Sequence, residues 1–216
     1  MENTKAKRRY TVGEEVANSV SHGVGALLSI AALVLLIVRA VSHGGDVRLA
    51  AALLMGIGLL VEYLFSTLYH AIAPEKAKRV FRVLDHCGIY LLIAGSYAPF
   101  ALVALADRGG IALGIAVWAV AIVGIVAECF LREKQPKWLT ALIYVILGWA
   151  VVFHIVDLYQ VLPAPAFWLL LAGGISYTVG ALFYIPKNVR YLHFIFHLFT
   201  LAGSVCITLS ALLFVL

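Results

Sequence analysis

The sequence predicts an all-α membrane protein: a bundle of seven transmembrane helices with the N-terminus cytoplasmic and the C-terminus outside. Three observations predict it. The 216 residues are 63% hydrophobic and only 12% charged, with a mean hydropathy of +1.01, whereas a soluble domain is nearer half apolar and about a quarter charged. Seven apolar stretches are each long enough to cross a hydrocarbon core about 30 Å thick, which takes about 20 helical residues. The cations between those stretches fall almost entirely on alternate links.

The elements follow in order. A basic tail, residues 1–18, precedes a first span over 19–40; that stretch is too long for a signal peptide and lacks a small-residue cleavage site, so it reads as a retained helix. SHGGD (42–46) leads to a span over 48–71, and APEKAKR (73–79) to one over 84–105, which Pro99 should kink. DRGG (107–110) introduces 109–131, REKQPK (132–137) introduces 138–159, LPAP (162–165) introduces 166–186 and IPKN (185–188) introduces 190–214. The spans consume almost the whole chain, which predicts one domain, 1–216, without a soluble appendage. Cys87, Cys129 and Cys206 have no CxxC spacing and read as small buried hydrophobes rather than a disulfide or thiolate framework.

Sidedness comes from the charges. With the N-terminus inside, thirteen of the 16 Lys and Arg are cytoplasmic, and only Arg39, Arg48 and Arg108 are outside. That is a strong positive-inside signal. It accounts for the basic balance by contact with anionic lipid head groups, without a nucleic-acid partner.

Ionisable groups inside spans are costly, so each is a candidate for function. The second helix ends in LFSTLYHA, with His70 near the cytoplasmic face, Ser66 one turn deeper and Glu62 deeper again. The third begins RVLDHCGIY, which sets Asp85 in its first turn; the seventh begins RYLHFIFH, with His193 and His197 roughly 5–10 Å inside the same face. Residues at i and i+4 share a helix face, so these two imidazoles look the same way. His70, Asp85, His193 and His197 therefore share one depth, with Ser66 just beneath.

Three imidazoles and a carboxylate at one level fit a catalytic zinc site with three protein ligands and an open position. His70, His193 and His197 are the candidate ligands. Asp85 would orient or deprotonate a water, or fix a ligand ring from outside. Copper and iron suit the same donors. A b-type haem does not, because His193 and His197 on one face cannot be trans ligands. Glu14, Glu15, Asn18 and His22 open the first helix; they read either as acids complementing its dipole or as outer support or a docking surface for the centre. Glu62 reads as a protonated, hydrogen-bonded carboxyl or a proton relay. His154 and Asp157 fall in the opposite leaflet, and His86 points away from Asp85.

EEVANSVSHG, FSTLYH, LDHCGIYLLIAGSYAPF and HFIFH together resemble the bacterial haemolysin III proteins, the prokaryotic branch of the progestin and adiponectin receptor (PAQR) family, in a superfamily that includes alkaline ceramidases. The resemblance spans nearly the whole chain and matches its Ser-x3-His, Asp and His-x3-His pattern at Ser66, His70, Asp85, His193 and His197. It implies a zinc ion on the three histidines, Asp85 hydrogen-bonded to the zinc water, and a role in membrane lipid homeostasis. Three readings follow: a zinc-dependent hydrolase of a lipid amide or ester, with Asp85 moving the proton and Ser66 donating to the oxyanion or to Asp85; a non-enzymatic sensor with a structural zinc; and a pore, which the polar-poor outer leaflet disfavours. Membrane lipids are the expected partners.

Overall fold

The computed structural model describes residues 10–131, 135–186 and 189–216; Lys5, Lys7, Arg8, Arg9, Arg132, Lys134 and Lys187 of the charge count lie outside them. Among the described residues, eight α-helices form seven spans: α1 Val12–His43, α2 Asp46–Ala71, α3 Glu75–Pro99, α4 Gly110–Leu131, α5 Lys137–Gly148, α6 Ile155–Val161, α7 Ala164–Tyr184 and α8 Leu192–Phe214. All seven spans are long and apolar enough to cross a membrane.

Two helices begin earlier than hydropathy predicts. The tail was expected to run to residue 18, but α1 starts at Val12, because Thr11 and Glu14 form a reciprocal capping box that satisfies the first amides. α3 starts at Glu75, so Asp85 lies in its third turn rather than its first. Pro74 at the N-cap sets that start, and the cation-rich link winds into helix outside the apolar stretch. Lys78 Nζ donates to the carbonyls of Tyr69 (3.0 Å) and Ile72 (3.5 Å), closing the end of α2.

Two spans are also interrupted. Pro99 ends α3, and a π-turn over Phe100–Ala104 continues the span, with Leu105 N–H donating to Phe100 O at 2.8 Å. The fifth span, expected to be continuous, breaks into α5 and α6 around a 3₁₀ segment, Trp149–His154. Tyr97 Oη enters that break. It donates toward the carbonyls of Leu147 and Gly148 and accepts from Val151 N–H at 3.0 Å, replacing the lost helical partners.

α2 packs between α1 and α3, and α7 against α8. Small residues let α2 and α3 approach closely: a Cβ on Gly58 would meet Leu91 O at 2.6 Å, and one on Gly95 would meet Leu54 O at 2.5 Å. The starts of α1, α3 and α8 and the end of α2 meet at one end of the bundle. Toward the other end the interior is apolar, built on Leu36, Met55, Leu105, Leu158 and Leu216. All three cysteines are free thiols.

Candidate metal centre

The candidate ligands do meet. His70, His193 and His197 each offer one nitrogen, and the three atoms lie within 4.8 Å of one another, an arrangement that could hold a metal ion. The ring centroids are 4.6–5.2 Å apart. Spacing on α8 explains half of this, since residues four apart stack on one face. The other half is α1, which packs against both α2 and α8 and brings the end of one to the start of the other.

The donor set fits a metal on an observation separate from distance. One nitrogen of each ring is buried without a hydrogen-bond partner: Nε2 of His70, Nδ1 of His193 and Nε2 of His197. Buried polar atoms left unpaired are uncommon, and one on each ring of the cluster leaves room for a shared partner. The opposite nitrogens of two rings are held. His70 Nδ1 lies 2.6 Å from Glu15 Oε2. Because a carboxylate only accepts, Nδ1 carries the proton and Nε2 keeps its lone pair. His197 Nδ1 is 3.2 Å from both Asn18 O and Ser21 Oγ, which fixes that tautomer in the same sense. Carboxylates and carbonyls holding the far nitrogen are the usual outer support of histidine–metal sites.

That support comes from α1, not from Asp85. Glu15, Asn18, Ser21 and His22 project from one side of the first turns of α1, and Glu15 is itself held by Lys78 Nζ at 2.9 Å. Both sequence readings for this segment hold in part: Glu14 caps the start of α1, and Glu15 and Asn18 support the rings from outside. The signal of that support was the spacing of Glu15, Asn18 and His22, at i, i+3 and i+7; Ser21 and Tyr10 carried no signal of their own. Tyr10 packs over the centre from outside the first span, its ring 5.2 Å from His193 and 5.7 Å from His70. Its phenol is raised well above its usual pKa, first by burial, then by Tyr69, Tyr184, Asp85 and Glu15. It therefore stays protonated. His22 is fully enclosed, with both ring nitrogens unpartnered, and lies flat on His197.

Asp85 is buried on α3 at this end but is not part of the three-histidine group. No hydrogen bond among the described residues joins it to a histidine ring, so the ring-fixing role considered for it belongs to Glu15 and Asn18. Ser66 is buried one turn below His70, with Oγ unpartnered. Glu62 lies a turn deeper, its Oε2 unpartnered and pressed against Gly88 of α3, where a Cβ would collide with it. His86 indeed points elsewhere, its Nδ1 3.4 Å from Glu128 Oε2; Glu128, buried near the end of α4, escaped the sequence reading. Glu14 closes the assembly: its Oε1 accepts from Tyr191 N–H at 3.1 Å. Tyr191 has φ 60°, the only non-glycine positive φ among the described residues.

An apolar cavity of about 140 Å³ opens beside the centre. Tyr184 and Phe196 line it and flank His193 at 5.9 and 5.4 Å between rings. Leu92, Tyr97, Phe100 and Phe167 carry it toward the other end.

Seven spans enclosing a buried histidine cluster at one end define a class: a multi-pass membrane protein with a buried polar centre. Residues 10–208 match the family model described as Haemolysin-III related. The chain is 43% identical over 205 residues to hemolysin-3 of Bacillus cereus, which covers 95% of this chain and 93% of that one. It is 41% identical over 195 residues to a hemolysin-3 homolog of Bacillus subtilis (strain 168), covering 90% and 91%. The human monocyte to macrophage differentiation factor is 26% identical over 161 residues, covering 71% and 65%. This chain belongs to the haemolysin III family and is a multi-pass protein of the cell membrane.

Proposed function

We propose that the protein is a zinc-dependent hydrolase of a lipid amide or ester, working near the cytoplasmic leaflet in membrane lipid homeostasis. The observation that carries this reading is the three unpartnered ring nitrogens of His70, His193 and His197, buried beside an apolar cavity. These three residues would hold the ion. Bound there, zinc supplies a Lewis acid and a water with a pKa near 7.

The chain's own groups do the rest. Glu15, Asn18 and Ser21 keep the rings of His70 and His197 turned so that their lone pairs face inward. The cavity takes an acyl chain between Tyr184 and Phe196 and excludes water along its length. Asp85 accepts a proton as the carbonyl is attacked and returns it to the leaving nitrogen or oxygen. Ser66 Oγ, which has no partner of its own, donates to the developing oxyanion or to Asp85. The cytoplasmic assignment rests on the thirteen-to-three distribution of Lys and Arg.

Elemental mass spectrometry on detergent-purified protein tests the reading, with His197→Ala in parallel. About one zinc per chain, lost in the variant, supports it; a screen of lipid amides and esters then follows, with Asp85→Asn as control. Metal-free wild type, purified without chelator, would sink it. A second reading, a sensor with structural zinc, is favoured by the ties from α1 to α2 and α8 around the centre. It predicts that chelation loosens the bundle while no lipid is consumed.

A further inference from the structure

His22 is the group that the proposed chemistry leaves without a role. Its ring lies 3.5 Å from that of His197, centroid to centroid, at an interplanar angle of 15°. Neutral aromatic rings prefer offset or edge-on contacts with centroids about 4.5–7 Å apart. A close, nearly parallel pair is the arrangement two neutral rings avoid. No side-chain hydrogen bond among the described residues accounts for it, since Nδ1 and Nε2 of His22 are both buried without a side-chain partner. On another side the ring meets the edge of Tyr63, at 4.9 Å and 85°. Tyr63 is itself fixed by donating to Ser204 Oγ on α8 at 2.6 Å. The space is tight: a Cβ on Gly25, one turn along α1, would lie 2.5 Å from Tyr63 Cδ1. His22 is thus wedged so that its π-face covers His197.

We propose that His22 is a positioning residue of the centre, whose electron-rich ring face stabilises His197 by a cation–π contact when His197 ligates a cation. The physical reason is a change in the sign of the contact. An imidazole whose Nε2 coordinates a dication is electron-poor, and a neutral aromatic face attracts such a charge. His22 does not act as a fourth ligand, because a ring stacked parallel on His197 keeps its own nitrogens out of the plane in which His197 directs its lone pair. The inference rests on the reading of His197 as a ligand.

The test compares purified full-length wild type with His22→Ala, His22→Leu and His22→Phe. Zinc affinity is measured by competition with a chromophoric chelator, cobalt(II) absorption reports ligand geometry, and thermal unfolding is followed with and without zinc. His22→Ala and His22→Leu are expected to bind zinc about tenfold more weakly, and His22→Phe to recover most of the loss, because only Phe restores a π-face. Packing losses appear in the metal-free melts of each variant, and the expected signature is an additional loss in His22→Ala and His22→Leu when zinc is bound. Wild-type affinity in His22→Ala or His22→Leu overturns the proposal. So does His22→Phe binding as weakly as His22→Ala with an unaltered metal-free melt, or a deficit of equal size with and without zinc. A wild type with no zinc affinity overturns the metal reading itself, whereas the other failures remove only the role of His22.

Discussion

Each end of the bundle holds a histidine beside an acid, and the two pairs differ in nearly everything else. At one end His154 Nδ1 is 3.3 Å from Asp157 Oδ2, both partly exposed, and Arg108 reaches Asp157 at 3.4 Å and Gln160 at 2.7 Å. At the other, His70 Nδ1 is 2.6 Å from Glu15 Oε2 with the histidine side chain fully enclosed, and its second nitrogen has no partner. The first pair has the geometry of a surface network, where water screens every charge. The second sits among Asn18, Ser21, His22, Ser66 and His197, all buried. A histidine–acid contact is therefore not informative by itself. What separates the two is the free nitrogen left over after the acid is satisfied, and its convergence with two others.

Substitutions can break that contrast. His70→Ala should have the largest effect, reducing bound zinc from about one per chain to none; elemental analysis of the purified variant reads this directly. Asp85→Asn comes next: zinc content unchanged, turnover of the lipid substrate lowered by about 10² to 10⁴, measured by product formation. Full turnover in that variant would remove Asp85 from the chemistry. Glu15→Gln should leave the bundle folded and weaken zinc by about 10- to 100-fold, the usual loss when a ligand's outer partner is replaced, read by chelator competition. Asp157→Ala, the matching change at the other end, should move stability by less than about 0.5 kcal/mol and leave zinc affinity untouched. Equal effects of Glu15→Gln and Asp157→Ala on metal affinity would erase the distinction between the ends.

Legibility in the sequence follows the same physics. The seven spans were readable because the bilayer demands length and apolarity, which a single strand of text displays. His70, His193 and His197 were readable because helix direction converts sequence position into depth. The starts of α1 and α3 were not, since hydropathy reports where lipid begins rather than where backbone hydrogen bonding does; Thr11 and Pro74 decide those. The break in the fifth span was hidden as well, because it is made by Tyr97, about fifty residues away in another helix. Glu15 was noticed, but its partner was not, as depth alone does not say which neighbouring helix a side chain meets.

The bond from Glu14 to the backbone of Tyr191 joins positions 177 apart in the chain. Membrane helices emerge from the ribosome in order, so α1 is made first and α8 last. Until α8 arrives, the Tyr191 N–H has not reached Glu14, the Asn18 carbonyl has no ring to hold, and His70 lacks its two companion histidines. A chain stopped short of α8 would carry His70 without His193 and His197, and so no complete centre.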